Sequence, residues 1–442
     1  MRATLVLAAA LTLAVAANSA PQSSVGPTAL APTLLTDDFR TDVHPGETSF
    51  ELWLHSTGRG FPCTWHRNFA NKTEKIENVA SEQMGATPGY LDYSNRGFGR
   101  VIHFNGYNVR RLPEWVGGEI WLSFLMRSTA GSSNSALISL RDRSNYDPCN
   151  SSRGYEVMLA PASGVVSARV CNGGADCAGF QATGPLHGGP LYLVIARMVL
   201  DAEPSVDAWI NPTDLTSGIS GLGPPDASLT SLDIPAFFST LQVSTVRLDV
   251  ANNARIDALR IAYGDLDSEA KLAGVLHGTL SDYPGNGSDF ELALDVDGVT
   301  DPTGNHLASV GQTVQMRFRS MDLSLPCSQF ASCSGIAEGA YSPTNPSDGE
   351  GFLAFASFGA PTPIGLCGTD TPIWVDLGTF TELIGGLGPA PSPLFLLSGS
   401  GVGLSFTVLP ELLGQSMTVQ MAAFDPRAPC GIGLSDAHRV LF

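Results

Sequence analysis

The eight cysteines of this 442-residue chain fall into two groups of four, and this grouping limits how the chain can fold. An even number in each half favours disulfide pairing inside two separate domains. Close spacing favours Cys171–Cys177 and Cys327–Cys333 as loop disulfides, which leaves Cys63–Cys149 and Cys367–Cys430; other pairings within each group remain open. The Cys-x5-Cys spacing of both close pairs is longer than that of zinc ribbons, so we do not expect a zinc site there.

The N-terminal segment has the three regions of a signal peptide. Arg2 provides the positive start, residues 5–17 are apolar, and small residues continue to Ala20. The apolar run is shorter than the ~20 residues that a transmembrane helix needs. Ala14-Val15-Ala16 also fits the small-x-small pattern of a cleavage site. We therefore predict a signal peptide over residues 1–20 and a secreted or cell-surface protein that is not inserted in the membrane after cleavage.

The composition favours short strands joined by turns. Only 15% of the residues are charged, while the chain has 48 glycines and 30 prolines. A hydrophobic content of 43% is sufficient for a packed core and argues against disorder. The formal charge of −18 argues against binding to nucleic acid or to an anionic membrane, which requires clusters of lysine and arginine.

The hydrophobic pattern divides the chain into two β-rich parts. Segments such as Val206–Ile210 alternate apolar and polar residues, as expected for strands with one face on a core. Between the two series, residues 265–278 have the only hint of a helix, ending on Gly278. We predict five regions: a signal peptide at 1–20, a linker at 21–33, a first β-domain at 34–265, a connector at 266–280 and a second β-domain at 281–442.

Four stretches of the first part carry a family resemblance. They are Leu35–Phe39 with its Asp-Asp-Phe, Tyr192–Arg197 running into Val206–Thr213 and its Asn-Pro turn, Pro224–Leu229, and Val246–Val250 followed by Ala254–Ile261 with Ile-Asp-Ala-Leu-Arg-Ile. Together they resemble the concanavalin A-like jelly-roll superfamily, especially its laminin-G-like bacterial members. The resemblance implies an all-β fold, with a concanavalin A-like jelly-roll sandwich followed by a second, smaller β-sandwich. The second half resembles C-terminal β-domains attached to such modules, which implies no function.

A search for catalytic patterns favours a binding protein over an enzyme. The superfamily that the four stretches resemble also contains glucanases. A retaining glucanase needs two carboxyl groups about 5–5.5 Å apart. The Glu-x-Asp-x-x-Glu triplet of those enzymes does not occur in this sequence. The sequence also has no Gly-x-Ser-x-Gly nucleophile elbow and no His-Glu-x-x-His zinc motif.

One loop has the composition of a calcium site. Asp295, Asp297 and Asp301 stand at positions 1, 3 and 7 of Asp-Val-Asp-Gly-Val-Thr-Asp, and calcium binds six to eight oxygen ligands. The loop departs from the helical calcium-binding pattern, because its glycine is at position 4 and no glutamate follows at position 12. A structural calcium ion is therefore the one cofactor that we consider, against the alternative of an Asp-rich β-turn.

Two turn-rich segments contain candidate sugar-binding residues. Trp65, His66 and Arg67 form one group, and Trp115 follows two arginines in the other. An exposed indole can stack on a sugar ring while polar neighbours bind the hydroxyl groups. The competing interpretation is that both tryptophans contribute buried area to the core.

These observations favour a secreted or cell-surface binding protein whose lectin-like domain recognises a glycan or another surface polymer. One alternative is a structural envelope or matrix protein without a specific ligand. A second alternative is a glycoside hydrolase or lyase of the jelly-roll superfamily.

Overall fold

A computed structural model describes most of the chain. The described residues are 34–37, 39, 49–51, 61, 65–67, 75–77, 89–90, 101–102, 107–127, 135–142, 153–160, 163–172, 180–186, 191–239, 241–251, 254–285, 290–320, 352–365, 372–375, 381–385, 402–424 and 431–442. These residues form two compact units, one up to Thr279 and one from Leu280 onward.

The first unit consists of two antiparallel sheets built from sixteen described strands. The strands are β1 Leu34–Asp37, β2 Ser49–Glu51, β3 His66–Arg67, β4 Lys75–Glu77, β5 Val101–Ile102, β6 Tyr107–Val116, β7 Gly118–Arg127, β8 Ser135–Arg141, β9 Arg153–Ala160, β10 Val165–Asn172, β11 Gln181–Pro185, β12 Leu191–Leu200, β13 Ser205–Ile210, β14 Ala227–Leu229, β15 Val243–Ala251 and β16 Arg255–Ala262. A nine-stranded sheet has the order β14-β13-β12-β7-β16-β5-β4-β2, with β1 also paired to β16. A seven-stranded sheet has the order β11-β10-β9-β8-β15-β6-β3.

The main core lies between these two sheets. Alternate residues of β7 and β12 from one sheet, such as Phe124 and Val194, are buried in the same cluster as Ile138 and Val157 from the other. Because side chains alternate between the two faces of a strand, each of these strands presents its other residues outward. The first strand β1 pairs with the last strand β16, with Leu34 opposite Ala262.

The two sheets approach each other closely at the edge formed by β11 and β14. A Cβ atom added to Gly184 of β11 would overlap the carbonyl oxygen of Asp226, just before β14. Only glycine fits such a close approach of two backbones. Gly184 therefore lets this edge of the sandwich close.

The second unit is a smaller sandwich. Its described strands are β17 Phe290–Val296, β18 Asn305–Leu307, β19 Thr313–Ser320, β20 Phe352–Phe358, β21 Ile364–Gly365, β22 Pro372–Ile373, β23 Thr381–Gly385, β24 Val402–Thr407, β25 Ser416–Phe424, β26 Ile432–Leu434 and β27 His438–Leu441. The sheet β17-β19-β24 packs against the sheet β18-β27-β25-β20-β23, in which β26 also pairs with β25. Strands β21 and β22 form a separate hairpin pair.

Helices are short in the described residues. They are α1 Ile219–Leu222 and α2 Ser268–His277, with single 3₁₀ turns at Ala236–Phe238 and Pro410–Leu412. Within the described part of the chain, none of them has the length and apolar character of a membrane-spanning helix. The prediction of an all-β fold, a jelly-roll sandwich followed by a second, smaller sandwich, is confirmed.

Candidate ligand-binding site

Helix α2 covers part of the outer face of the nine-stranded sheet. Apolar side chains of β7, β12, β13 and β16 form a second buried cluster with the helix, which contains Trp121, Leu125, Leu193, Ile195, Trp209, Ala258, Ala262, Leu272, Val275 and Leu276. The indoles of Trp121 and Trp209 stack with their centroids 5.7 Å apart. The part of this face that lies under α2 is therefore an internal surface of the first unit.

Polar groups of the sheet hold both ends of α2. The helix begins after Asp267, whose Oδ1 accepts from the backbone N–H of Ala270 at 2.7 Å, and it ends at Gly278 in the left-handed region. Beneath its last turn, Arg260 donates to the carbonyl oxygen of Leu276 at 2.6 Å, and Ser123 donates to that of Val275 at 2.6 Å. The last carbonyl groups of the helix thus receive partners inside the protein.

A carboxylate on β7 fixes the other end of the helix to the sheet. Glu119 accepts from Ser268 at 2.5 Å, from the indole of Trp121 at 2.9 Å and from Arg197 at 2.6 Å. Burial by itself raises the pKa of Glu119, but the three hydrogen bonds outweigh burial and hold the pKa below its ordinary value. Glu119 therefore stays ionised and serves the attachment of α2.

A buried ion pair lies at the edge of the main core. Asp37 of β1 accepts from Arg110 at 2.5 Å and from the indole N–H of Trp65 at 2.8 Å, and its other oxygen accepts from the backbone N–H of Phe39. The guanidinium of Arg110 also lies over the ring of Phe61 at 4.2 Å. Because these three partners are internal and Trp65 is only 1% exposed, this arrangement serves the packing of β1 and β6.

The outer face of the seven-stranded sheet differs, because it carries a row of polar residues. The residues are directly opposite one another on five neighbouring strands, and we call them the polar row: Arg247, Ser139, Glu156, Arg169 and Gln181. Directly opposed residues of antiparallel strands lie on the same face. The neighbours of the row along the strands, including Ile138 and Val157, are in the main core, so the row faces outward. Five strands about 4.8 Å apart give the row a length of about 19 Å.

The centre of the row is an arginine–glutamate cluster, formed by Arg141, Glu156 and Arg169. One carboxylate oxygen of Glu156 accepts from Arg141, and the other accepts from Arg169 at 2.8 Å. Arg141 also donates through its Nε to the hydroxyl group of Ser139. Both oxygens of Glu156 are thus engaged by guanidinium groups, which fixes the positions of both arginines.

Exposure increases from the centre of the row toward strand β11. The side chains of Arg141 and Glu156 are buried, that of Arg169 is 17% exposed, and Gln181 is exposed. Thr183, two residues further along β11, is also exposed. A ligand can therefore reach the row at β10 and β11, where Arg169, Gln181 and Thr183 offer guanidinium, amide and hydroxyl groups.

Of the four predicted sugar-binding residues, the structure describes the side chains of Trp65 and Trp115. Trp65 is buried against Asp37, which is the core role that competed with ligand binding. Trp115 lies near the end of β6 with 39% of its surface exposed. His66 and Arg67 form β3. His66 is paired with Val109 of β6, and Val109 is paired with Arg247, so His66 lies two strands beyond the Arg247 end of the polar row. Ligand binding by His66, Arg67 and Trp115 stays a prediction.

The three aspartates predicted to bind calcium each serve the local backbone. Asp295 accepts from the N–H of Gly298, Asp297 from that of Thr313, and Asp301 from the N–H and hydroxyl group of Thr303. No group of three or more metal-binding side chains occurs among the residues that the structure describes. These hydrogen bonds are typical of Asp-rich turns, and calcium binding by the three aspartates stays a prediction.

The second unit contains a histidine pair, in which Nε2 of His306 and Nδ1 of His438 are 2.9 Å apart. Burial and the neighbouring His438 lower the pKa of His306 to about 4, although the nearby Asp301 acts in the opposite direction. Both rings can therefore share this hydrogen bond in their neutral forms at pH 7.

One of the cysteines predicted to form disulfides lies among the described residues. Cys171, at the end of β10, is buried and disulfide-bonded. The other seven cysteines lie outside the described residues, so the pairings stay predictions.

Sequence reasoning missed the polar row, although part of its signal was present. In Tyr155-Glu-Val-Met-Leu159 the polar Glu156 alternates with core residues, and Arg169 does the same in β10. These two alternations predict that each side chain points away from the core. The pairing of Glu156 with Arg169 depends on the register between strands and is not readable from either strand alone.

Comparisons with known proteins show similarity to solved structures only. No protein-family model matches the chain, and no curated protein matches its sequence. Among solved structures, a galectin from Caenorhabditis elegans is 11% identical with a TM-score of 0.23, covering 35% of this chain and 89% of the galectin. The carbohydrate-binding module CBM66 from Bacillus subtilis is 9% identical with a TM-score of 0.28, covering 45% of this chain and 94% of the module. A β-glucanase from Bacillus licheniformis is 9% identical with a TM-score of 0.29, covering 50% of this chain and all of the glucanase. At these scores, the ligands and substrates of those proteins are not carried over to this chain.

Proposed function

We propose that this chain is an exported binding protein whose first sandwich binds a glycan or another surface polymer at the β10–β11 end of the polar row. The observation that carries the proposal is the difference between the two outer faces. One face is covered by α2 over β7 and β16, while the other presents polar groups that become accessible at Arg169 and Gln181.

The chemistry of the row suits a polyhydroxylated polymer. Hydroxyl groups of a sugar need both donors and acceptors, and the accessible end offers the guanidinium of Arg169, the amide of Gln181 and the hydroxyl group of Thr183.

The row is better suited to binding than to glycoside hydrolysis. A retaining glycosidase needs two carboxyl groups about 5–5.5 Å apart that flank the scissile bond. Glu156 is the carboxylate at the centre of the row, and arginines engage both of its oxygens. Such a carboxylate serves to orient its neighbours.

Export and the second unit belong to the same proposal. A signal peptide over residues 1–20 would deliver the chain to an oxidising compartment, and the disulfide-bonded Cys171 is consistent with that destination. The second sandwich would act as an accessory or spacer for the binding unit.

The test is a glycan array probed with the full-length chain, in the presence and absence of Ca²⁺. We expect retention of a restricted set of glycans. Gln181→Ala should weaken binding about fivefold, since it removes one hydrogen bond of the order of 1 kcal/mol. Ser228→Ala is the matched control, because it removes an exposed polar group from an edge strand of the other sheet. Absence of any retained glycan, or equal effects of the two variants, would contradict the proposal.

A further inference from the structure

We propose that the histidine pair of the second unit is an acid-sensitive lock, which holds strand β18 on β27 at neutral pH and releases it in acid. The pair consists of His306 on β18 and His438 on β27. This inference concerns the second sandwich and is independent of ligand binding at the polar row.

Strand β18 is a short element with few attachments among the described residues. It has three residues, lies at the end of its sheet and pairs with β27 in parallel. Two backbone hydrogen bonds flank this pairing: the N–H of Arg439 donates to the carbonyl oxygen of Gly304 at 2.7 Å, and the N–H of Ala308 donates to that of Leu441 at 2.8 Å. The side chain of Asn305 adds hydrogen bonds that involve no histidine. Because local opening is easiest where few bonds must break, the contact between the two histidine side chains bears directly on whether β18 stays attached.

The two imidazole rings are joined by a direct hydrogen bond. Nε2 of His306 and Nδ1 of His438 are 2.9 Å apart, and the ring centroids are 5.2 Å apart. One of these nitrogens must donate and the other must accept, which is possible while at least one ring is neutral. When both rings are imidazolium ions, all four ring nitrogens are donors. Protonation of both rings therefore replaces the hydrogen bond by repulsion between like charges at the contact between β18 and β27.

The surroundings of the pair determine the pH at which this happens. The described charged groups that face the histidines are three carboxylates: Asp301 before β18, Asp436 before β27 and Glu291 on β17. Burial lowers the pKa of both histidines and outweighs these carboxylates, which act in the opposite direction. For His306 the charge of His438 adds to burial, and the pKa of His306 falls to about 4. The second proton, which breaks the hydrogen bond, therefore enters near pH 4.

The direction of the pH effect follows from the lowered pKa. A His306 ring released from the pair regains its ordinary pKa of 6.5, so the open form binds more protons than the closed form between this value and about pH 4. The closed form is most favoured above pH 6.5 and becomes less favoured as the pH falls toward 4. For His306 alone, this shift raises the equilibrium constant for opening by a factor on the order of a hundred.

Hydrogen exchange of the full-length chain, without ligand, measures the opening. After correction for the intrinsic exchange rate, the protection of the amides of Ala308 and Arg439 should fall about a hundredfold between pH 7 and pH 4. The amides of β20, which pairs with β25 in the same sheet, are the internal reference and should keep their protection.

Variants then assign the effect to the histidine pair. His306→Gln keeps a hydrogen-bond donor and an acceptor on β18 but has no imidazole to protonate, so the acid loss of protection should shrink at least about tenfold. The matched control is His277→Gln. The pKa of His277 is also lowered, by burial and by Arg260, but this histidine belongs to the first unit, so its replacement should leave the acid response of β18 unchanged. His438→Gln serves as the second variant should His306→Gln fail to fold.

Three results would overturn the inference. Equal protection of the two amides at both pH values would mean that acid does not release β18. A loss that is the same in the natural chain and in both glutamine variants at the pair would assign the release to the surrounding carboxylates. An equal loss for β20 would mean that acid unfolds the whole sandwich instead of releasing one strand. Because exchange is measured without ligand, none of these results bears on the proposed function.

Discussion

The two outer faces of the first sandwich are built on the same strand pattern but have different chemistry. On β7 and β12 the outward positions include Trp121, Leu125 and Ile195, so this apolar part of the outer face needs a cover. On β9 and β10 the outward positions include Glu156 and Arg169, opposite the core residues of the same strands. A strand that is apolar on both faces therefore indicates a covering element, while one that is polar on one face leaves that side for other contacts.

The difference extends to how each face is held together. The closed face depends on apolar area buried under α2, whereas the polar face depends on ion pairs among buried charges. Removing an apolar side chain and removing a charge should therefore have separate effects, which the following variants measure.

The largest effect should come from breaking the cluster on the polar face. Glu156→Ala leaves the buried guanidinium of Arg141 without its carboxylate, so the free energy of unfolding should fall by about 3–5 kcal/mol. Chemical denaturation of the full-length chain measures this loss. The control is Asp249→Ala, whose partner Arg247 is on the same face and about a quarter exposed, and which should cost less than about 1 kcal/mol. Equal losses for the two variants would mean that the cluster does not hold the polar face.

A smaller loss is expected from the closed face. Leu272 of α2 is buried between the helix and the sheet, and Leu272→Ala should lower the free energy of unfolding by about 3 kcal/mol. Leu232→Ala is the matched control, since Leu232 is 95% exposed and its truncation should change stability by less than about 0.5 kcal/mol. Ligand binding by Leu272→Ala below its unfolding transition should be normal. A loss of binding in the folded variant would show that the two faces are not independent.

Much of this fold was predictable because its signals are local. Alternation of apolar and polar residues along single strands predicts the all-β architecture, and the pattern of residues 265–278 predicts the short helix that ends at Gly278. The resemblance of the stretches at Leu35–Phe39 and Ala254–Ile261 to opening and closing strands agrees with the pairing of β1 and β16.

The site was less predictable because its residues meet only through the register of several strands. Arg247 and Ser139 are opposite each other although 108 positions separate them in the sequence. Trp65 is a candidate for ligand binding because it lies in a turn-rich segment, but Asp37 accepts a hydrogen bond from its indole N–H inside the protein. Asp295, Asp297 and Asp301 have the spacing of metal ligands, but backbone N–H groups nearby compete for the same oxygens.

The smallest of the expected effects concerns the carboxylate that attaches α2 to the closed face. Ser268→Ala removes one of the hydrogen bonds to Glu119 and should lower the free energy of unfolding at pH 7 by about 1 kcal/mol. The pKa of Glu119 is lower in the folded chain than its ordinary value, so the carboxylate stabilises the fold above its unfolded pKa and loses this contribution as the pH falls through its folded pKa. Ser268→Ala should raise the folded pKa of Glu119, so the stability cost of this variant should be largest at neutral pH and should disappear in acid.

Ser163→Ala is the control, because the exposed hydroxyl group of Ser163 donates to the carbonyl oxygen of Ala160 and no carboxylate is involved. Urea unfolding of both variants at pH 7 and in acid separates the two cases: a cost of Ser268→Ala that is the same at both pH values would mean that the ionised form of Glu119 does not hold α2 on the closed face.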